Sequence, residues 1–418
     1  MIISFLNKIL NCVKRCSSKL KKSSDINKID DNGTLTPWEV NGNFSDEKYE
    51  RLMKEFGAQK LDDNLLERFE KITGQKPHKL MRRGIFFAHR DFDKILDDFV
   101  ANKPIFIYSG RGPSSSSIHL GHIIPIEFTA YLQNALNAIV VFQMADDEKF
   151  WFKNKPFDEI YQNGFINAKD IIALGFNPNK TFIFSNRDFC SDVNYQKVAF
   201  DMLKHTKINE IKAIFGIQDS ECVGQLLWPI YQSAAAFSQS FKTIFGNNEQ
   251  SIRCLVAYGI DQDNYFRAAR DYANKSGYLK PSSIMCKFLP SIDGKTKMSS
   301  TQIENKNKTI FLTDNPKEIQ NKIKKYAFSG GKDTLELHRK FGGNCEIDVC
   351  FQWLRYFLES DEELNKIREN YTSGKMTTSD LKKITTREIT KYILEHQKKK
   401  SVITIDIVNK YYEKRPLL

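Results

Sequence analysis

The chain of 418 residues lacks any long apolar run. No stretch approaches the ~20 consecutive apolar residues that a membrane-spanning helix requires, so we expect no membrane partner. The eight cysteines form none of the C-x-x-C pairs of common zinc sites, and no metal site is predicted. Cysteines dispersed along a long chain favour reduced thiols in an intracellular protein. We therefore expect a cytoplasmic location.

Acidic residues are missing from the start of the chain. Residues 1–22 join an apolar beginning to a lysine-rich stretch, and the first acid is Asp25. This pattern is similar to an organelle-targeting segment, but lysine outnumbers arginine there, which favours a disordered or weakly helical extension. The sequence predicts a basic extension over residues 1–36, with organellar targeting as the alternative.

Positive charge is present in excess and is unevenly distributed. The formal net charge is +12. Residues 1–28 and residues 315–418 each contribute +6, so the middle of the chain is neutral overall. A basic C-terminal part attached to a neutral body suits a polyanion such as RNA. Lysine-rich bias on solvated helix faces explains the charge equally well, so this observation leaves both interpretations open.

Apolar and polar segments alternate in a way that indicates several domains. Nearly continuous apolar runs at residues 104–108, 138–144, 181–185 and 252–258 predict buried strands. Helices are predicted around them at residues 123–135, 163–174, 222–245 and 265–274. This pattern indicates a Rossmann-like, doubly wound parallel sheet covered by helices on both faces. The predicted divisions are a helical appendage (37–95), the α/β domain (96–312) and a C-terminal all-helical domain (313–418).

The most informative segment follows the first predicted strand and reads YSGRGPSSSSIHLGH. Gly110 and Gly112 allow a tight turn and a close approach of the backbone. The serines suit the start of a helix, whose free N–H groups favour phosphate. His119 and His122 share a face of that helix, so both imidazoles can hydrogen-bond a phosphate as its charge develops. The segment predicts a phosphate site.

This segment resembles the HIGH motif of class I aminoacyl-tRNA synthetases. The longer string GRGPS…HLGH is similar to the eukaryotic and archaeal tryptophanyl-tRNA synthetase family. Beside it, Lys297-Met-Ser-Ser300 resembles the KMSKS loop of the same enzymes, although Ser300 and Thr301 stand where the common pattern continues with a lysine. The resemblance implies that His119, His122 and Lys297 are catalytic, with Lys295 as the alternative to Lys297.

The resemblance also implies two sets of binding residues. A first set would bind ATP, which carries Mg²⁺: Arg111, Gly112, Gly121, Gly259, Asp261, Met298, Ser299 and Ser300. A second set would bind tryptophan: Tyr108, Gln143, Glu148, Gln232 and Gln262. Tyr108 and Gln143 would meet the indole N–H, and the other three would hold the ammonium and carboxylate groups. Independently of the resemblance, the ends of parallel strands are where this fold binds ligands.

Asp146 and Asp147 suggest a Mg²⁺ ligand, but the sequence favours a solvated acidic turn. In the helical domain, the strings AFSGGKD and HRKFGG match the family closely, which implies that this domain binds the anticodon of tRNA(Trp). The family is dimeric, so a homodimer is expected. The implied function is ATP-dependent activation of L-tryptophan and its transfer to tRNA(Trp). The alternatives are a tyrosyl-tRNA synthetase, a nucleotidyltransferase and a synthetase-like RNA-binding protein without catalysis.

Overall fold

The computed structural model describes residues 45–153, 155–246, 251–295, 297–298 and 308–418. The predicted basic extension lies outside these residues. So do Ser299 and Ser300, two of the predicted ATP ligands.

A seven-stranded mixed sheet forms the centre of the molecule. Its strands lie in the order β1-β2-β7-β6-β3-β4-β5. They are β1 (Gln59–Lys60), β2 (Phe86–Arg90), β3 (Ile105–Arg111), β4 (Ile139–Met144), β5 (Thr181–Ser185), β6 (Arg253–Gly259) and β7 (Ser282–Cys286). Strands β3 to β7 are parallel to one another, whereas β2 pairs antiparallel with both β7 and the edge strand β1.

Nineteen α-helices are assigned in the part of the chain that the structure describes. Up to β5 they are α1 (Asp46–Glu55), α2 (Asp63–Thr73), α3 (Lys79–Arg82), α4 (Phe92–Val100), α5 (Leu120–Ala135), α6 (Asp146–Lys153) and α7 (Phe157–Ile172). Between β5 and the end of the sheet they are α8 (Asn186–Phe189), α9 (Val193–His205), α10 (Ile208–Phe215), α11 (Val223–Ala234), α12 (Lys242–Phe245) and α13 (Asp263–Ser276). Six more follow: α14 (Pro316–Tyr326), α15 (Leu335–Phe341), α16 (Val349–Phe357), α17 (Asp361–Thr372), α18 (Thr378–Ser401) and α19 (Ile405–Tyr412).

The strand order changes direction at β3. The chain runs from β3 outward to β4 and β5, then returns to place β6 on the other side of β3. The segments that follow β3, β4 and β6 therefore lie around one crevice, which is where ligands bind in open α/β sheets. Alternate residues of β3 point to opposite faces: Ile105 and Ile107 join one buried cluster, and Phe106 and Tyr108 join the other.

The four strands predicted from apolar runs are confirmed as β3, β4, β5 and β6. The helical prediction for residues 44–95 was wrong for residues 86–90, which form β2. All five residues of β2 are buried because the strand pairs with β7, which the sequence did not reveal either. A pattern read along the chain cannot identify a strand whose burial depends on pairing with a segment nearly 200 residues away.

The helix predicted over residues 222–245 is interrupted. Helix α11 ends at Ala234, and a 3₁₀ turn over Ser238–Phe241 precedes α12. The Ser240 hydroxyl donates a hydrogen bond to the Ala234 carbonyl (2.7 Å), which satisfies a carbonyl at the helix end. Downstream, the regular elements described from residue 316 onward are all helical, as the sequence predicts. Among the described residues, no helix is both long enough and apolar enough to span a membrane.

The long helix α18 is joined to α7 by a buried ion pair. Asp170 on α7 is 2% exposed, and its carboxylate contacts His396 Nε2 at 3.0 Å and Lys400 Nζ at 2.7 Å. Lys400 is therefore engaged within the molecule, whereas Lys398 and Lys399 are exposed.

We predict that Asp170→Ala lowers the free energy of unfolding by about 3 kcal/mol, because removing one partner leaves the others buried without compensation. Urea unfolding followed by circular dichroism measures the change. Lys399→Ala is the matched control, since it removes an exposed charge one residue from Lys400 and should change stability by less than about 0.5 kcal/mol. Equal stabilities for Asp170→Ala and the wild type would contradict this account of the contact.

Candidate active site

The loop between β3 and α5 is held at both ends by backbone hydrogen bonds. At its start, Ala145 N donates to Arg111 O (2.9 Å), which joins the ends of β3 and β4. At its end, Leu120 N donates to Ile310 O (3.1 Å), and Leu312 N donates to Ile118 O (2.9 Å). We call residues 108–122 the first signature segment and the motif that begins at Lys297 the second. The first segment is thereby paired with the chain that follows the second, and Lys297 lies near His119.

The two predicted catalytic histidines stack on each other at the start of α5. Their ring centroids are 3.7 Å apart, with 28° between the ring planes. His119 is the N-cap residue and is buried, and His122 lies in the first turn. Both nitrogens of His119 and Nδ1 of His122 are buried without a hydrogen-bond partner among the described residues. Such atoms indicate a site that a polar ligand completes.

The imidazoles are neutral in the free protein. Burial, followed by the positive charges of Arg111 and Lys297, lowers the pKa of His119 to about 3. Burial and the neighbouring His119 lower the pKa of His122 well below its ordinary value. A neutral imidazole carries one N–H, so each ring can donate one hydrogen bond to a phosphate oxygen without itself carrying charge.

Three of the glycines predicted to bind ATP have other groups packed where a side chain would be. A Cβ at Gly112 would lie 1.9 Å from Glu148 Oε2, and one at Gly259 would lie 2.9 Å from Asp261 Oδ1. At Gly121, a Cβ would approach the His119 ring at 3.2 Å and Met298 Cβ at 3.3 Å. Because glycine has no side chain, Glu148, Asp261, His119 and Met298 can lie directly against the backbone at these positions.

Lys297 lies beside the end of β6. Its Nζ contacts Asp261 Oδ2 at 2.6 Å and lies 5.6 Å from the centroid of the Phe288 ring. Met298 N donates a hydrogen bond to Leu289 O (3.2 Å), and the Met298 side chain is buried. The structure thus brings together Lys297, Met298 and Asp261, while the neighbouring Ser299 and Ser300 lie outside the described residues.

Two predicted tryptophan ligands form a buried hydrogen-bonded pair. The Tyr108 hydroxyl donates to Gln143 Oε1 (2.5 Å), and Gln143 Nε2 donates to Asn186 Oδ1 (2.7 Å) and to Tyr195 Oη (3.2 Å). These bonds fix which end of the Gln143 amide is the acceptor. Because a carbonyl oxygen has two lone pairs, Gln143 Oε1 can accept one more hydrogen bond, as from an indole N–H.

The three remaining predicted tryptophan ligands come from separate elements. Glu148 is on α6, where Lys149 Nζ contacts its Oε1 at 2.6 Å. Gln232 is half-buried on α11, and its Oε1 is buried with no partner in the described structure. Gln232 also contacts the hydroxyl of Tyr108. Gln262 ends the 3₁₀ turn after β6. The five residues therefore come from β3, β4, α6, α11 and that turn.

Known proteins resemble this chain in sequence and in structure. The family described as tRNA synthetases class I (W and Y) matches residues 100–393. The cytoplasmic tryptophan–tRNA ligase of Homo sapiens is 45% identical over 386 residues, which cover 92% of this chain and 81% of that protein.

Solved structures give the same result. The Plasmodium falciparum tryptophanyl-tRNA synthetase aligns with a TM-score of 0.82 and 42% identity, covering 88% of this chain and 97% of that one. The Giardia lamblia tryptophanyl-tRNA synthetase aligns with a TM-score of 0.82 and 38% identity, covering 87% and 95%. The chain belongs to the class I tRNA synthetases (W and Y). Its mixed sheet flanked by helices, with a helical C-terminal part, is the fold of that family.

One expectation about this synthetase was wrong: Asp146 and Asp147 are not a solvated turn. Asp146 is 1% exposed and accepts hydrogen bonds from the Ser185 hydroxyl and from Arg187 N (3.2 Å). Asp147 Oδ1 accepts from Asn186 Nδ2 (2.8 Å) and Trp228 Nε1 (3.2 Å). Burial raises the pKa of Asp147 to about 7. Both side chains therefore form hydrogen bonds that join α6 to β5, α8 and α11.

Sequence reasoning missed several residues that complete the synthetase site. Asn186 and Tyr195 orient the Gln143 amide, and Trp228 contacts Asp147. Asn167 on α7 accepts a hydrogen bond from Arg111 Nε (2.5 Å). No motif marks these positions, since each lies in a helix and reaches the site only through the fold. The position of Asn186 directly after β5 was the one available signal.

We predict that Gly112→Ala raises the KM for tryptophan at least about tenfold in ATP–pyrophosphate exchange, because the added methyl group displaces the Glu148 carboxylate. The matched control is Gly164→Ala on α7, where a Cβ would meet its nearest neighbour at 3.8 Å, an ordinary contact. That control should keep wild-type kinetics, with a stability equal to the wild type or up to about 1 kcal/mol higher, because alanine is the better helix former. An unchanged KM in Gly112→Ala would show that the position of Glu148 does not matter.

Proposed function

We propose that this synthetase activates L-tryptophan with ATP and transfers the tryptophanyl group to tRNA(Trp). The observation that carries the proposal is the set of buried nitrogens on His119 and His122, near Lys297, that have no hydrogen-bond partner among the described residues. Each neutral ring offers one N–H donor and Lys297 adds a cation, which together suit the oxygens of a phosphate in a buried site. The identity of the amino acid is supported by the relatives, which are named tryptophan–tRNA ligases at up to 45% identity.

The first step is attack by the tryptophan carboxylate on the α-phosphate of ATP. Tryptophanyl-adenylate forms as the bond to pyrophosphate breaks. The N–H groups of His119 and His122 donate to phosphate oxygens as their charge grows, and Lys297 stabilises the leaving pyrophosphate. To do this, Lys297 must exchange its contact with Asp261 for one with the pyrophosphate. The chemistry depends on positioning and electrostatics, without a covalent enzyme intermediate.

Arg111 and the glycines at positions 112, 121 and 259 would bind ATP together with Asp261, Met298, Ser299 and Ser300. Arg111 contributes a buried guanidinium whose Nη2 is without a partner in the described structure. The described residues include no group of three His, Cys, Asp or Glu side chains able to hold a metal ion. Mg²⁺ therefore enters the proposal as part of its complex with ATP, held chiefly by the phosphates.

The indole would lie against Tyr108 and Gln143. Gln143 Oε1 is oriented by Asn186 and Tyr195 as an acceptor for the indole N–H. Glu148, Gln232 and Gln262 would hold the ammonium and carboxylate groups. A tyrosyl enzyme is the less favoured alternative, because the relatives named above are tryptophan enzymes.

In the second step, the terminal hydroxyl of tRNA takes the tryptophanyl group from the adenylate. The helical domain over residues 313–418 would bind the anticodon. Its net charge favours a polyanion, and Phe328 and Phe341 expose rings that can stack on unpaired bases. Upstream, the division into residues 37–95 and 96–312 is part of this proposal, with the provision that β2 belongs to the central sheet.

The protein would act as a homodimer in the cytoplasm. Helices α9, α10 and α11 pack together and expose apolar side chains, of which Val193 is 76%, Phe200 60% and Val223 67% exposed. Exposed apolar side chains on adjacent helices are typical of a protein interface. The location follows from relatives that are named cytoplasmic tryptophan–tRNA ligases.

Charging of a purified tRNA(Trp) transcript with radiolabelled amino acids tests the function. We expect tryptophanyl-tRNA to form and tyrosine to be transferred at least about 1000-fold less efficiently, because Gln143 Oε1 is oriented for an indole N–H and a smaller ring that does not reach it leaves the remaining lone pair of this buried acceptor unpaired. Efficient transfer of tyrosine would overturn the assignment of the amino acid. Binding of the tRNA without charging by either amino acid would favour the non-catalytic alternative.

A further inference from the structure

Arg111 is a buried cation that is only partly satisfied. It is 6% exposed at the end of β3, and burial lowers its pKa to about 10. Its Nη2 has no hydrogen-bond partner in the part of the chain that the structure describes. No carboxylate among those residues lies within ion-pair distance of it. A buried guanidinium that is not paired with a carboxylate favours binding of an anion.

The neutral amide of Asn167 holds this guanidinium. Asn167 is fully buried on α7, and its Oδ1 accepts the hydrogen bond from Arg111 Nε at 2.5 Å. Its Nδ2 donates to the carbonyl of Ser115 at 3.0 Å. Ser115 lies in the loop between β3 and α5 (residues 112–119), which we call the phosphate loop. One amide therefore joins the arginine at the start of the loop to the backbone in its middle.

We propose that Asn167 is a positioning residue for adenylate formation, which fixes Arg111 and the phosphate loop in the geometry that receives ATP. The inference rests on the proposed function and extends it to a residue that no motif identifies. The amide is suited to this role because it supplies both a donor and an acceptor. It also leaves the positive charge of Arg111 available to the ligand, whereas a carboxylate would neutralise it.

The helix that carries Asn167 is itself held in place. Asp170, one turn further along α7, is joined to His396 and Lys400 of α18. The side chain of Asn167 thus projects from an element that is fixed at its far end by the helical domain. A rigid support is what a positioning residue requires.

ATP–pyrophosphate exchange with saturating tryptophan tests the inference. We expect Asn167→Ala to lower kcat/KM for ATP by about 10- to 100-fold, the range for losing a hydrogen bond to a charged group. Asn163→Ala, a buried asparagine one turn earlier on the same helix, should remain within about twofold of the wild type. Asn167→Asp keeps the acceptor but adds a negative charge, so it should also weaken ATP binding while the protein stays folded.

A double-mutant cycle separates positioning from a general structural effect. In an Arg111→Ala background, Asn167→Ala should cost several-fold less than in the wild type, because only its contact with the Ser115 carbonyl remains to be lost. If that background does not fold, Arg111→Lys replaces it, since lysine keeps the charge but has no Nε. The inference is overturned if the penalty is equal in both backgrounds. It is also overturned if activity falls in proportion to the unfolded fraction, with KM unchanged.

Calorimetric titration with ATP distinguishes failure of this inference from failure of the proposed function. A wild-type protein that binds ATP but shows no exchange with tryptophan would contradict the proposed function alone. In that case the expected loss of ATP affinity in Asn167→Ala still supports the inference. Equal ATP affinity in the wild type and Asn167→Ala would overturn the inference whatever the exchange activity.

Discussion

A buried polar atom without a partner destabilises a folded protein by about 1–3 kcal/mol, and the candidate active site contains several that have none among the described residues. They include both ring nitrogens of His119, Nδ1 of His122 and Nη2 of Arg111. In the proposed function, phosphate oxygens of the ligand accept hydrogen bonds from the Arg111 guanidinium and from the single N–H that each neutral imidazole carries. The same burial keeps both imidazoles neutral, so they can act as donors at physiological pH.

The surrounding structure serves to keep these groups from collapsing onto other partners. The reversal of strand order at β3 opens the crevice, and the bridge between His119 and Phe311 pairs the first signature segment with the chain that follows the second one. Because Gly112 and Gly121 have no side chain, Glu148 and Met298 can approach the backbone closely at these positions. The ion pair at Asp170 connects the catalytic part to the helical domain, so the position of α7 depends on both.

Residues whose roles follow from local sequence could be predicted, whereas those that depend on long-range packing could not. The strand ends and the His119–His122 pair were accessible because apolar runs and short motifs are local signals. Strand β2 was missed because its burial comes from pairing with β7. Asn167 carries no local signal, and Asn186 is marked only by its position directly after β5. Asp146 and Asp147 read as a solvated turn, because partners such as Ser185 and Trp228 are distant in sequence.

The central claim, that neutral imidazoles donate to the reacting phosphate, is tested most directly by kcat/KM for ATP against pH in wild-type protein and His119→Asn. This parameter reports ionisations of the free enzyme and free substrates, and asparagine is a neutral donor that also caps a helix well. With a pKa of about 3, His119 is already neutral, so the ratio of the two profiles should stay flat from about pH 5.5 to 8. A ratio that changes about tenfold around pH 6.5, the ordinary imidazole pKa, would show that His119 titrates there and would contradict the account.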